Sequence, residues 1–150
     1  MDHPATRTRS AESASGGDRL LRYAAAFYAV GLIVHTADHI RRGTAVISTE
    51  VYWAGIISTA IGVVTIALIA ARHRLAPLAA ALTGLPIAAG VAAVHLLPHW
   101  SVLSDAFPGA RGTGVTALSW AVVSVEIAGA LAMGLRGLVL VGRPRLGEVR

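Results

Sequence analysis

The chain has no cysteine. That excludes a structural disulfide, a thiolate metal site and dithiol redox chemistry. It has no lysine either, so all 13 residues of the Lys+Arg class are arginine. With abundant Ala, Gly and Val, this matches a biased genomic composition. Charge of either sign is scarce: Asp, Glu, Lys and Arg make up 14% of the residues, against about 25% in an ordinary soluble domain. Aromatics are few as well, at 5%. The net charge of +5 is not a nucleic-acid signal, because the arginines flank apolar runs, where membrane topology puts basic residues.

What is present is apolar surface. The chain is 55% hydrophobic, with a mean hydropathy of +0.64. Residues 1–19 are rich in Ser, Thr, Arg, Ala and Gly and lack apolar periodicity, which reads as a flexible tail. Four apolar segments follow, at residues 20–40, 51–71, 75–97 and 115–135. Each has about the 20 residues a helix needs to cross a bilayer at roughly 1.5 Å per residue. The first runs into HTADHIRR, not a small-residue cleavage site, so it reads as an uncleaved anchor. The expected fold is all-α: a single domain over residues 20–141, built as an up-down-up-down bundle of four transmembrane helices, with a short tail over residues 142–150.

Arginine positions give an orientation. Ten lie in the tails and the 72–74 connection, and three (Arg41, Arg42 and Arg111) lie in the other connections. Basic residues accumulate on the cytoplasmic side, so both termini are expected inside a plasma (inner) membrane. Small residues, which let helices approach in lipid, recur at four-residue spacing in the third segment: Ala76, Ala80, Gly84, Ala88 and Ala92. Gly55, Ser58, Thr59, Gly62 and Thr65 run along the second, and Ser119, Gly129 and Ala130 flank Glu126 in the fourth.

Candidate functional residues form two layers. In the first segment Tyr28, Gly31, His35, Asp38, His39 and Arg42 fall on one helix face. A polar stripe on a membrane helix must face protein or a water-filled cavity. The third segment ends in a second pair, His95 and His99. Both pairs have the i, i+4 spacing that brings two imidazoles to one face, as metal ligation requires. Because the first and third helices run in the same direction, the pairs share one depth. Pro98 disfavours helix at Leu97, so His99 is expected in the loop and His95 is the safer ligand. His35 and His95 are therefore the expected primary ligands, with His39 and His99 peripheral. The metal candidates are copper and zinc, which neutral imidazole suits. Haem b is the other candidate, since the first and third helices stand diagonally in a square bundle, roughly 11–14 Å apart. Against haem stand the few Phe and Trp residues. Asp38 and Asp105 are candidates to orient a ligating ring. For Asp105, in the turn-rich segment 104–114, a solvated loop is the ordinary reading, and a lid folded over the histidines is the alternative.

The deeper layer is Glu126, with Tyr28, Gly62 and Pro86 expected at a similar depth. An ionisable group there is a functional candidate. The structural alternative is a protonated Glu126 bonded to Tyr28 or to the Leu82 carbonyl freed by Pro86. Three functional classes remain open. One is a redox or metal-handling membrane subunit. Another is a proton-coupled carrier or channel subunit using Glu126 and the histidines. The last is a non-catalytic partner of a larger complex or of a second copy. Nucleic acid is not an expected partner.

Overall fold

The computed structural model describes residues 4–143, with side chains from residue 19 onward. The protein is all-helical, with no strand among the described residues. Helix α1 spans Pro4–Arg42, α2 Thr49–Ala70, α3 Ala76–His95 and α4 Ala117–Val141, with a 3-10 turn at Thr44–Val46 between α1 and α2. The bilayer-length parts are Arg19–Arg42, Thr49–Ala70, Ala76–His95 and Ala117–Val141. At roughly 1.5 Å per residue each is long enough to span a hydrocarbon core. The expected four-helix membrane architecture is what is found.

The helix ends follow local chemistry. Ser48 caps α2, its Oγ accepting from Val51 N at 3.1 Å. Thr116 and Ser119 form a reciprocal capping box at the start of α4. Gly43, at φ 83°, ends α1 in a conformation that a β-carbon disfavours. Helix α3 stops at His95, before Leu97, because Pro98 restricts the residue ahead of it. Two boundaries differ from the sequence reading by more than a helical turn. Helix α1 continues back to Pro4, where a flexible tail is expected; extending an existing helix needs no new nucleus. Helix α4 runs past Arg136 to Val141, since a long arginine near a helix end can reach the interface. The C-terminal tail lies, from residue 144 on, outside the described residues.

Packing centres on α4. It lies between α1 and α3, while α2 packs thinly beside the same two helices. Close approach explains why. A β-carbon on Gly31 of α1 would sit 2.6 Å from Glu126 Cα, and one on Gly129 of α4 would sit 2.6 Å from Tyr28 Cα. The two helices therefore touch backbone to backbone along this face. On the other side of α4, Gly134 meets the backbone of Leu85, and Gly84 meets Ala130 and Gly134 in return. In the small-residue stripe of α3, Ala76, Ala80, Gly84 and Ala88 are buried. On α2 only the lower part of the stripe, Gly62 and Thr65, is buried. Thr65 shares a 2.9 Å hydrogen bond with Thr83 of α3. Outward faces carry large apolar side chains, such as Phe27, Val30 and Ile33 on α1 and Ile57 and Val64 on α2.

Candidate metal centre

Histidine side chains from the ends of α1 and α3 meet beneath the connection 96–116. His35 and His39 come from successive turns of α1 and His95 from the last turn of α3. Their ring centroids are 4.7 Å apart for His35–His39, 4.8 Å for His35–His95 and 5.5 Å for His39–His95. One ring nitrogen of each lies within 4.8 Å of the others. His35 and His95 are buried, and the His39 side chain is 24% exposed.

Two of the rings are held by named partners. His35 Nδ1 is hydrogen-bonded to the Glu126 carboxyl group. Its Nε2 is buried and has no hydrogen-bond partner. His95 Nδ1–H donates to the Asp105 carbonyl at 3.1 Å. A carbonyl oxygen only accepts, so Nδ1 carries the proton and Nε2 of a neutral ring holds the lone pair. The Asp105 carboxylate lies 3.4 Å from His95 Nδ1 and 4.0 Å from His39 Nδ1. The His35 and His95 rings are thus held through Nδ1 by an oxygen, the arrangement that orients metal-ligating histidines; His39 Nδ1, at 4.0 Å from Asp105, is too far for a hydrogen bond.

Glu126 reaches His35 although residue counting puts it about a turn or two deeper. Side chains lean toward the N-terminus of their own helix. Helix α1 runs toward the histidine end, so His35 leans inward; α4 runs away from it, so Glu126 leans outward. The Gly31 contact brings the Glu126 backbone level with the turn below His35. Glu126 is therefore bonded to His35, not to Tyr28 or Leu82. Pro86 is exposed on the outer face of α3, away from this layer. Tyr28 is fully buried against Gly62 of α2, and its hydroxyl has no hydrogen-bond partner.

The connection above the histidines turns inward at Asp105 and Phe107, which are buried, while most of its other residues are exposed. Asp105 N donates to Val94 O at 3.0 Å and Phe107 N to His95 O at 2.9 Å, so the returning chain satisfies the terminal carbonyls of α3. Asp105 is buried and takes two hydrogen bonds from Arg42, at 2.6 and 2.8 Å. Arg42 Nε also donates to Thr113 O at 3.1 Å. The guanidinium carbon stands 5.2 Å from the Phe107 ring centroid, and that ring packs against His95 and Trp120. The bidentate pair draws 105 inward, where a loop carboxylate would ordinarily face water. Asp38 does not orient a histidine. It pairs with Arg41 at 2.8 Å, and Arg41 also donates to Gly114 O and Ser119 Oγ. His99 is exposed beyond the end of α3, outside the cluster.

Three neutral imidazoles suit a tetrahedral zinc or copper ion with one open position. Metal–nitrogen bonds of about 2.0–2.1 Å place tetrahedral donors roughly 3.4 Å apart. The ring nitrogens here lie within 4.8 Å of one another, so they would draw together by up to about 1.4 Å around an ion. A haem ligated between α1 and α3 does not fit: His35 and His95 are in direct edge contact at 4.8 Å between centroids, with no room for a macrocycle. The sequence reading missed His39 as an equal member and Arg42 as the anchor of the roof. Both stand on the polar face of α1, and that shared face was their signal. Comparisons with protein-family models, with curated proteins and with solved structures found no match for this chain.

Proposed function

We propose that this is a metal-handling membrane subunit that binds one zinc or copper ion through His35, His39 and His95. Glu126 holds the His35 ring and the Asp105 carbonyl holds the His95 ring; His99 takes no part. The observation that carries this reading is the buried, unpartnered Nε2 of His35, whose ring is fixed from the other side by Glu126. A buried polar atom without a partner is costly, and a metal ion at the centre of the three rings would satisfy it. The arginine distribution supports a plasma-membrane protein with both termini inside, which puts the metal centre at the outer face. The partly exposed His39 would then be the side from which the ion arrives. Copper would make the subunit redox-active, and zinc would not.

The contact of His35 with Glu126 inside the bundle also suits the carrier reading, in which these groups pass protons. Metal analysis of detergent-purified protein separates the two. The metal reading expects close to one ion per chain, lost in His35→Gln and in His95→Gln. The glutamine keeps polarity and removes the imidazole. A metal-free wild type that binds neither ion on titration overturns the proposal and favours the carrier.

A further inference from the structure

The connection from α3 to α4 has two unlike halves. Residues 108–114 hold three glycines at positive φ, Gly109, Gly112 and Gly114, and the exposed Arg111. Residues 96–104 hold no Asp, Glu, Lys or Arg. In that half Leu97, Trp100, Val102 and Leu103 all face outward, from 39% exposed at Leu103 to 61% at Val102. Single exposed apolar residues are ordinary, but a cluster of them marks a surface that meets something other than water.

The backbone of this half is bonded within the protein. Trp100 N and Ser101 N both donate to Ser104 Oγ, at 3.0 and 3.2 Å, and Leu103 N donates to Ser101 Oγ at 3.0 Å. Ser48 Oγ, at the cap of α2, donates to Val102 O at 2.5 Å. Serine side chains thus satisfy backbone groups that water would otherwise serve. Irregular chain enters a membrane only where its polar groups are met in this way.

Trp100 sets how far this half reaches back. Helix α3 ends at His95, so the Ala93 carbonyl is among the last four, which lack a partner in the helix. The indole Nε1 of Trp100 donates to it at 2.9 Å. Ala93 belongs to the bilayer-length span Ala76–His95, so the Trp100 ring folds back beside the last turn of that span. Tyr52 and Trp53, both exposed, stand near the start of the neighbouring span, which the Ser48–Val102 bond ties to this segment.

We infer that residues 97–103 are a membrane-embedded shelf, seated in the interfacial layer of the leaflet at the histidine end. Trp100, Tyr52 and Trp53 then occupy the level that amphipathic aromatic rings favour. The surface facing the shelf is phospholipid, because the patch follows directly on the α3 span with no charged residue between them. Residues 108–114, with Arg111, stay in water. The shelf is independent of the metal reading, since none of the three proposed ligands belongs to it.

The test uses the full chain in phosphatidylcholine nanodiscs, where both faces meet buffer. The native chain has no cysteine, so one bimane label can be attached in Val102→Cys, Leu103→Cys, Ala110→Cys or Arg111→Cys. Two quenchers are compared: phosphatidylcholine brominated on its acyl chains, and iodide in the buffer. Labels at 102 and 103 should be quenched severalfold more by the brominated lipid than labels at 110 and 111, and severalfold less by iodide. Size-exclusion chromatography checks that each variant is folded, and Leu103→Cys alone serves if Val102→Cys is not. Iodide quenching at 103 equal to that at 110 overturns the inference and puts the segment in water. A label at 103 that neither quencher reaches also overturns it, and assigns the surface to a second copy of the chain.

Discussion

A single methyl group at Gly31 should test how the bundle is held together. A β-carbon there would lie 2.6 Å from Glu126 Cα, 2.8 Å from Glu126 N and 3.1 Å from Val125 C. All three are backbone atoms, so no side chain can turn aside. Carbon atoms pack best at about 3.5–4.0 Å, so α1 and α4 must separate by roughly 1 Å. Overpacking of this kind costs about 1–3 kcal/mol, which lowers the melting temperature by roughly 2–12 °C for a chain of this size. The residue struck is Glu126, so the same displacement pulls its carboxylate away from His35. Gly31→Ala should therefore melt earlier and bind metal less tightly. Gly55→Ala is the control: a β-carbon there meets nothing within 4 Å, and its stability should change by no more than about 0.5 kcal/mol. Both are read by thermal unfolding in detergent, followed by size-exclusion chromatography. If Gly31→Ala melts with Gly55→Ala, the backbone contact between α1 and α4 is not what sets the site.

Arg42→Met leaves Asp105 buried without its partner and should cost about 3–5 kcal/mol, whereas Arg42→Met with Asp105→Leu should recover much of that; thermal melts of the two decide it. Glu126→Gln should fold normally and weaken metal binding about 10–100-fold, because the amide holds the His35 ring less firmly than a carboxylate. Glu126→Leu should also destabilise the protein, by about 1–3 kcal/mol; equal metal affinity in all three proteins would remove Glu126 from the site. For topology, single cysteines at Ser48, Ala110 and Ala71 can be probed on intact cells with an impermeant thiol reagent, since the native chain has none. Ser48 and Ala110 should label and Ala71 should not; the reverse pattern would put the metal centre on the cytoplasmic side.

The helices were legible because bilayer length, apolar runs and Pro98 act locally. The polar face of α1 was legible for the same reason: Tyr28, His35, Asp38, His39 and Arg42 share a side by spacing alone. Which partner each of these meets was not. Asp38 stands beside the histidines in sequence and Asp105 in a turn-rich segment, yet Asp38 is taken by Arg41 and Asp105 reaches the histidines. That choice depends on the path of the connection, which hydrogen bonds to the end of α3 fix. Glu126 was recognisable as an intramembrane ionisable group, but its partner followed from the opposite lean of side chains on antiparallel helices. A square bundle suggested a wide diagonal between α1 and α3. The glycines of α4 draw both helices in, and the imidazoles touch.

The central claim is that three imidazoles hold one metal ion, and X-ray absorption at the zinc or copper edge of the loaded protein tests it most directly. The account predicts about three imidazole nitrogens at roughly 2.0–2.1 Å, with the imidazole scattering reduced in His39→Ala and unchanged in His99→Ala. A first shell of oxygen atoms alone, or a spectrum that His35→Gln and His95→Gln leave unaltered, would contradict it.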